Sequence, residues 1–237
     1  MQHSRRSLKV TKPARTLVRR ALEQTVFKDY SERIDRFNWN ARLLKTLHAD
    51  EAVPLFRTKE EMYGYVNDTK LHQGDQPIDL FEFGVFRGES LRKFCKLNRH
   101  GASRFFGFDS FQGLPEDWLE GWPKGTFDTG GVTPSIEDSR VQFVAGWFQD
   151  SLPGFLQSYS PKNPIVIRSD CDLYSSTLYC LTTLNSLLPS GTVILFDDFY
   201  DPIHEYRALS DYCSAYRREF KMFAASENFH RVAVTLV

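Results

Sequence analysis

The chain has 237 residues, with thirty basic and thirty acidic side chains and a formal net charge of zero. A hydrophobic fraction of 41% and an aromatic fraction of 14% suffice for one sizeable core, which excludes a disordered chain, a collagen-like fibre and a small disulfide scaffold. No apolar run approaches the roughly 18–20 residues of a membrane span, and the lack of a basic excess argues against nucleic acid as the main partner.

The chain opens on a basic stretch. Arg5, Arg6, Lys9, Lys12, Arg15, Arg19 and Arg20 all precede the first acid, Glu23. The stretch has no apolar centre, so it is not a secretory signal. It is open to two readings: an organelle transit peptide, or a solvated arm and the basic face of a first helix. From Thr16 to about Ala49 the pattern is helical, with Leu17, Ala21, Val26, Ile34, Phe37, Leu43, Leu44 and Leu47 among charges. Residues 1–54 therefore read as an arm and helical cover, and residues 55–237 as the main domain. Thr58 before Lys59-Glu60-Glu61 reads as an N-cap with acids in the first turn, giving a helix over Glu60–Asn67.

From Asp79 short apolar runs alternate with amphipathic stretches. Strands are expected at Leu80–Phe83, Phe105–Phe108, Val141–Ala145, Ile165–Ile167 and Val193–Phe196, with a further one at Val232–Leu236. Helices are expected at Glu89–Leu97, around Trp147–Leu156, at Thr177–Leu188 and at Tyr206–Phe220. This alternation predicts an α/β fold: a Rossmann-like, doubly wound, mostly parallel sheet of about seven strands with helices on both faces. In such sheets ligands bind at the carboxyl ends of the strands. Cys95, Cys171, Cys180 and Cys213 form no CxxC pair, so a structural zinc site is not expected. Isolated thiols fit a reducing compartment, and a cytoplasmic location is expected.

Three groups of residues fall at strand ends. Glu82-Phe83-Gly84-Val85-Phe86-Arg87-Gly88-Glu89-Ser90 runs from a strand into a helix. Its GxxxG spacing leaves the dinucleotide fingerprint GxGxxG incomplete. Glu82 ahead of the first glycine suits a ligand that carries an ammonium and a sulfonium. Asp109 closes the next strand about 20 residues past Gly88, where nucleotide-binding sheets place a ribose-binding acid. Both features favour S-adenosylmethionine over a nicotinamide cofactor. The third group is two pairs of acids, Asp170 with Asp172 and Asp197 with Asp198, after two successive strands. On neighbouring strands, four carboxylates would repel one another unless a cation or a proton neutralised them. Oxygen-only donors suit Mg²⁺ or another hard divalent ion. Helix and turn capping by Asp172, Ser175 and Asp198 is the other reading of these residues.

Together these segments resemble the macrocin O-methyltransferase family. The resemblance rests on Glu82-Phe-Gly84-Val-Phe-Arg-Gly88-Glu-Ser90, Gly107-Phe-Asp109-Ser-Phe-Gln-Gly113-Leu-Pro115, Gly146-Trp-Phe148, Asp170-Cys-Asp172-Leu-Tyr174-Ser-Ser-Thr177 and Asp197-Asp198-Phe199. Phe56-Arg-Thr-Lys-Glu-Glu-Met-Tyr63 also resembles the helix that opens the family's domain, and the likeness runs over about residues 55 to 212. It implies a class I, S-adenosylmethionine-dependent enzyme that methylates a hydroxyl of a small molecule, a sugar or a glycosylated natural product. By this resemblance the cofactor would be held by Glu82, Gly84, Phe86, Arg87, Gly88, Ser90, Asp109, Ser110 and Phe111. Asp170, Asp197 and Asp198 would hold magnesium, and Asp172 would be the general base. Tyr174 and Thr177 would fix the loop and the helix start. A homodimer is also implied.

The chemistry is physically coherent. A sugar hydroxyl is a poor nucleophile at neutral pH; a bound cation acidifies it, a carboxylate removes its proton, and methyl transfer then needs mainly in-line positioning. The sequence departs from the family where Ser169 and Cys171 replace an apolar and a small residue, and where Tyr200-Asp-Pro-Ile-His204-Glu205 replaces a glycine-bearing loop. His204 and Glu205 are open to three readings: substrate binding, an alternative base, or surface positions of a helix. Trp118, Trp122 and Phe127 read as a lid, a sugar platform or local packing. Two other functions fit the same sheet: a nicotinamide-dependent oxidoreductase and a non-catalytic scaffold.

Overall fold

The structure, a computed structural model, describes residues 53–237 together with Arg33, Ile34, Phe37, Asn38, Trp39 and Ala41. The basic stretch from Arg5 to Arg20 lies outside the described residues. So does most of the helix expected from Thr16 to Ala49, although the six described positions within it are helical.

In chain order the elements are β1 (Leu55–Phe56), α1 (Lys59–Lys70), β2 (Asp79–Phe83), α2 (Glu89–Leu97), β3 (Arg104–Asp109), β4 (Val141–Ala145), α3 (Phe148–Ser158), β5 (Ile165–Ser169), α4 (Tyr174–Leu184), β6 (Val193–Phe196), α5 (Glu205–Ala215), β7 (Phe220–Ser226) and β8 (Val232–Leu236). They form one eight-stranded sheet in the order β1-β7-β8-β6-β5-β2-β3-β4. Only β8 runs antiparallel to its neighbours, β6 and β7. The strand prediction holds for the six expected strands. It missed β1 and β7, and the helix read through to Phe220 stops at Ala215, where the chain turns into β7.

The two central strands explain why the sheet is parallel. β2 and β5 are buried at every position, as expected for strands covered on both faces. One core lies between the sheet and α3, α4 and α5; the other lies under α1 and α2. α1 starts on a capping box: Thr58 Oγ1 accepts from the Glu61 amide at 3.2 Å, and Glu61 Oε2 accepts from the Thr58 amide at 3.1 Å. From β2 the chain steps outward to β3 and β4, then returns to β5 on the other side. That reversal opens a crevice between β2 and β5 at their carboxyl ends.

Away from this crevice, the start of β2 is pinned by a buried acid. Asp79 accepts from Arg104 Nε at 2.8 Å, Tyr159 Oη at 2.7 Å and Asn163 Nδ2 at 2.9 Å. Burial alone would raise its carboxyl, but these donors outweigh burial and hold it below the ordinary value. A depressed carboxyl contributes stability above the ordinary carboxylate range and loses it as pH falls. Asp79→Asn is therefore expected to lower stability by about 1.5–3 kcal/mol near neutral pH. The variant should also lose less than the parent below about pH 4. Urea unfolding at pH 7 and pH 3.5 checks both; equal losses in the two proteins on acidification would contradict it.

Candidate active site

The first strand end is shaped by contacts that leave no room for a side chain. Gly84 has φ +84°, and a Cβ there would lie 1.8 Å from the carbonyl oxygen of Asp170. The glycine is thus required by the approach of β2 to β5, before any ligand is considered. Phe86 is left-handed as well, with φ 48°. The loop is held by Asp109, the last residue of β3. Its Oδ2 accepts from the amides of Val85 and Phe86, both at 2.8 Å, and its Oδ1 accepts from the amide of Phe111 at 2.7 Å.

Of the residues expected to hold a cofactor, Gly84, Phe86, Asp109 and Ser110 line a cavity of about 410 Å³ at these strand ends, a size typical of small-molecule sites. Glu82, Gly88, Ser90 and Phe111 are buried outside that lining, and Arg87 is exposed, with its guanidinium 5.0 Å from the Phe86 ring. Glu82 accepts from Ser90 Oγ at 2.7 Å and pairs with Arg168 at 3.4 Å. Burial pushes its carboxyl up against the pull of Arg168, and its second oxygen has no hydrogen-bond partner.

The acids meet at the ends of β5 and β6. One oxygen from each of Asp170, Asp172 and Asp198 lies within 4.8 Å of the others. Asp197 lines the same cavity and is engaged by two arginines. It accepts from Arg231 Nε at 2.7 Å, pairs with Arg168 Nη2 at 3.3 Å and sits 3.5 Å from Tyr63 Oη. Burial would raise Asp197, but Arg168 and Arg231 hold it down. Asp170 and Asp172 are pushed up, first by burial and then by neighbouring acids. All three residues of the expected ligand set, Asp170, Asp197 and Asp198, line the cavity together with Asp172.

Asp172 itself is held in an unusual backbone turn. Its φ is 61°, and the Leu173 amide donates to the Cys171 carbonyl at 2.5 Å across it. A three-residue turn of this hand is rare and strained. His230 reaches the cluster from the β7–β8 connection, with Nε2 3.1 Å from Asp198 Oδ1, and it stacks on Tyr200 at 4.8 Å between centroids.

Arg168 sits at the centre of this edge with 2% of its side chain exposed. It donates to Asp170 Oδ2 at 2.8 Å and to Tyr63 Oη at 3.0 Å, besides its contacts with Glu82 and Asp197. The sequence reading missed it, although an arginine inside the apolar run Ile165-Val166-Ile167 was a signal.

Trp118, Trp122 and Phe127 form part of an arch across the cavity. Phe86 meets Phe127 at 5.5 Å, Phe127 stacks on Trp122 at 5.2 Å, Trp122 meets Trp118 at 5.8 Å, and Trp118 meets His204 at 6.3 Å. Gly113 closes the neck of this loop, where a Cβ would lie 2.4 Å from the carbonyls of Gly125 and Thr126.

The surface reading of Glu205 is corrected outright. Its side chain is fully buried. Oε1 accepts from Ser169 Oγ at 2.7 Å, and Oε2 accepts from the Asp198 amide at 2.9 Å. His204 is half-buried beneath Trp118.

Residues 133–233 match the family model described as macrocin-O-methyltransferase (TylF). Over these residues the chain is similar to the macrocin O-methyltransferases. A Streptomyces olivaceus relative, 8-demethyl-8-(2,3-dimethoxy-alpha-L-rhamnosyl)-tetracenomycin-C 4'-O-methyltransferase, is 32% identical over 173 residues, 60% of this chain and 62% of its own. Demethyldecarbamoylnovobiocin O-methyltransferase of Streptomyces niveus is 30% identical over 57% of this chain and 60% of its own. The chain thus covers 62% and 60% of the length of these two relatives. Among solved structures, the O-methyltransferase NovP aligns with a TM-score of 0.55 at 22% identity, covering 74% of this chain and 79% of that one. The calicheamicin methyltransferase CalS11 aligns with a TM-score of 0.54 at 18% identity, covering 99% and 98%. These neighbours share with the chain the Rossmann-like class I methyltransferase fold. No helix among the described residues is long and apolar enough to cross a membrane.

Proposed function

We propose that the protein is an S-adenosylmethionine-dependent O-methyltransferase acting on a hydroxyl of a sugar or glycosylated natural product, with help from a divalent metal ion. One observation carries the reading: a single cavity is lined at one end by Gly84, Asp109 and Ser110 and at the other by Asp170, Asp172 and Asp198. The first end suits a nucleoside ligand that bears positive charge. The second suits a hard cation and an acidic proton. The names of the related enzymes, which methylate hydroxyls of glycosylated compounds, support the acceptor class. The incomplete GxGxxG and the same relatives favour this reading over a nicotinamide-dependent oxidoreductase.

The cofactor would supply an electrophilic methyl group on a sulfonium. A cation at the acidic edge would acidify the acceptor hydroxyl. Three carboxylates within 4.8 Å of one another, with Arg168 on Asp170 and His230 on Asp198, form an oxygen donor set that fits such an ion, and a hard divalent ion keeps several waters of its own. In this reading Asp170 and Asp198 hold the ion and Asp172 takes the hydroxyl proton. Asp197, held by two arginines, fixes the far side of the edge. Asp109 orders the cofactor loop through its three amide contacts and has one lone-pair site, on Oδ1, left for a ribose hydroxyl. The aromatic arch excludes water and offers ring faces to the acceptor. Residues 55–237 form the catalytic domain, and residues 1–54 form its basic arm and cover. Trp39 supports the cover, packing at 5.4 Å on Phe199 and 4.7 Å on Tyr206.

Titration calorimetry with S-adenosylhomocysteine tests the first step. Binding in the micromolar range is expected for the parent, and binding weaker by about tenfold or more for Asp109→Ala, because the charge-assisted bonds that shape the loop are lost. Turnover of glycosylated hydroxyl compounds should fall in chelator and return with Mg²⁺. A parent protein that binds no cofactor product at millimolar concentration refutes the reading.

A further inference from the structure

We propose that Glu205 is a positioning residue that sets the geometry of the metal-binding edge through Ser169 and the Asp198 amide. The inference rests on the metal reading above and assigns a role to a residue outside the cavity lining.

Glu205 is the first residue of α5, yet its side chain turns inward and is fully buried. Its two oxygens are divided between two strand ends. Oε1 takes the hydroxyl of Ser169, the last residue of β5, and Oε2 takes the backbone amide of Asp198, two residues past the end of β6. One carboxyl group therefore ties together the two segments that deliver Asp170, Asp172 and Asp198. The Asp198 amide is anchored toward Glu205 while its side chain joins the other two acids.

The cost of this arrangement argues that the position matters. A buried carboxyl close to other acids is unfavourable, and Asp198 repels it more strongly than Asp170 does. An apolar residue at Glu205 would remove that cost but would leave the Asp198 amide and the Ser169 hydroxyl without their acceptor. Ser169 is the matching half. It is a hydroxyl at the end of a strand that is apolar apart from Arg168, and it donates to Glu205 Oε1 at 2.7 Å, so each buried polar group is the partner the other needs. Ser169 Oγ also lies 3.5 Å from Cys171 Sγ, and Cys171 Sγ lies 3.4 Å from Thr177 Oγ1, which extends the support beneath the Asp170–Asp172 turn.

Calorimetry with Mn²⁺ alone and with S-adenosylhomocysteine alone separates positioning from plain stability. Glu205→Ala is expected to weaken Mn²⁺ by about 10–100-fold, the usual effect of losing a residue that orients a metal ligand, and to leave S-adenosylhomocysteine within twofold. Glu205→Gln can accept from the Asp198 amide and donate to Ser169 Oγ, so it should stay within about threefold of the parent, by the same measure. Ser169→Ala should weaken Mn²⁺ by several-fold alone and add nothing in the Glu205→Ala background. Parental Mn²⁺ affinity in Glu205→Ala overturns the proposal. So does an equal loss of S-adenosylhomocysteine, or a Glu205→Gln variant as weak as Glu205→Ala. If Glu205→Ala does not fold, Ser169→Ala decides: unchanged Mn²⁺ affinity overturns the proposal. A parent protein that binds no Mn²⁺ overturns the metal reading and this inference together, whereas a parent that binds it and variants that match it overturn only the inference.

Discussion

Replacing Arg168 with methionine is expected to cost about 3–5 kcal/mol, a large share of the 5–15 kcal/mol that holds a typical domain folded. The side chain of methionine fills much of the same space, so the loss is electrostatic. Arg168 is the shared partner of Glu82, Asp170 and Asp197, of which Glu82 is fully buried and the side chains of Asp197 and Asp170 are 14% and 29% exposed. Without it Asp197 keeps Arg231, but Glu82 keeps only Ser90. Arg168→Lys should recover only part of the loss, because an ammonium is a point charge and does not span three acceptors as a planar guanidinium does. Urea unfolding gives the measurement. A midpoint within 1 kcal/mol of the parent's stability would show that water or rearrangement replaces the guanidinium, and would remove Arg168 from the account of the site.

Gly84→Ala is expected to be comparably severe by a different cause. The alanine Cβ would overlap the Asp170 carbonyl oxygen, and the position already has a left-handed φ. The backbone conformation alone costs about 1–2 kcal/mol for a residue with a Cβ, and forcing atoms into a packed contact typically adds about 1–3 kcal/mol. The obstruction is backbone rather than a flexible side chain, so relief requires β2 and β5 to move apart at the point where the cavity opens. Both the unfolding midpoint and the affinity for S-adenosylhomocysteine should fall. Normal stability with lost affinity would mean that the glycine serves the ligand rather than the strand contact. Gly121 makes a useful control: it is also left-handed, but a Cβ there meets nothing within 4 Å, so its alanine variant carries the conformational cost without the collision.

Much of this architecture was legible because the sequence repeats one physical pattern. Fully buried strands such as Ile165-Val166-Ile167, and Leu80-Phe81-Glu82-Phe83 apart from Glu82, are apolar runs, and the stretches between them have helical spacing. What escaped was set by partners distant in sequence. β7 carries two alanines and a lysine, and β1 is only two residues long, so neither has a strong strand signature. The partners of the four aspartates escaped for the same reason: nothing next to Asp197 in sequence shows that Arg231 pairs with it. Glu205 was misread because an acid at a helix start is ordinarily a solvated cap. The signal that could have corrected this was Ser169, a hydroxyl in a strand that is otherwise apolar apart from Arg168.

The connection between β7 and β8 has a consequence for how the protein is made. Arg231 compensates Asp197 from 34 positions further along the chain, and His230 meets Asp198 from 32 positions further along. During synthesis the carboxylates of the β5 and β6 ends therefore leave the ribosome well before these two partners. Until residue 231 has emerged, Arg168 is the one buried guanidinium among the described residues of that edge, and β6 lacks its β8 neighbour. The sheet can zip outward from β2 in the order the strands appear, but its acidic edge must wait, hydrated and repelling itself, for the hairpin to close. Ribosome-bound intermediates of this chain are thus expected to hold an open, charged seam where the finished protein has its site.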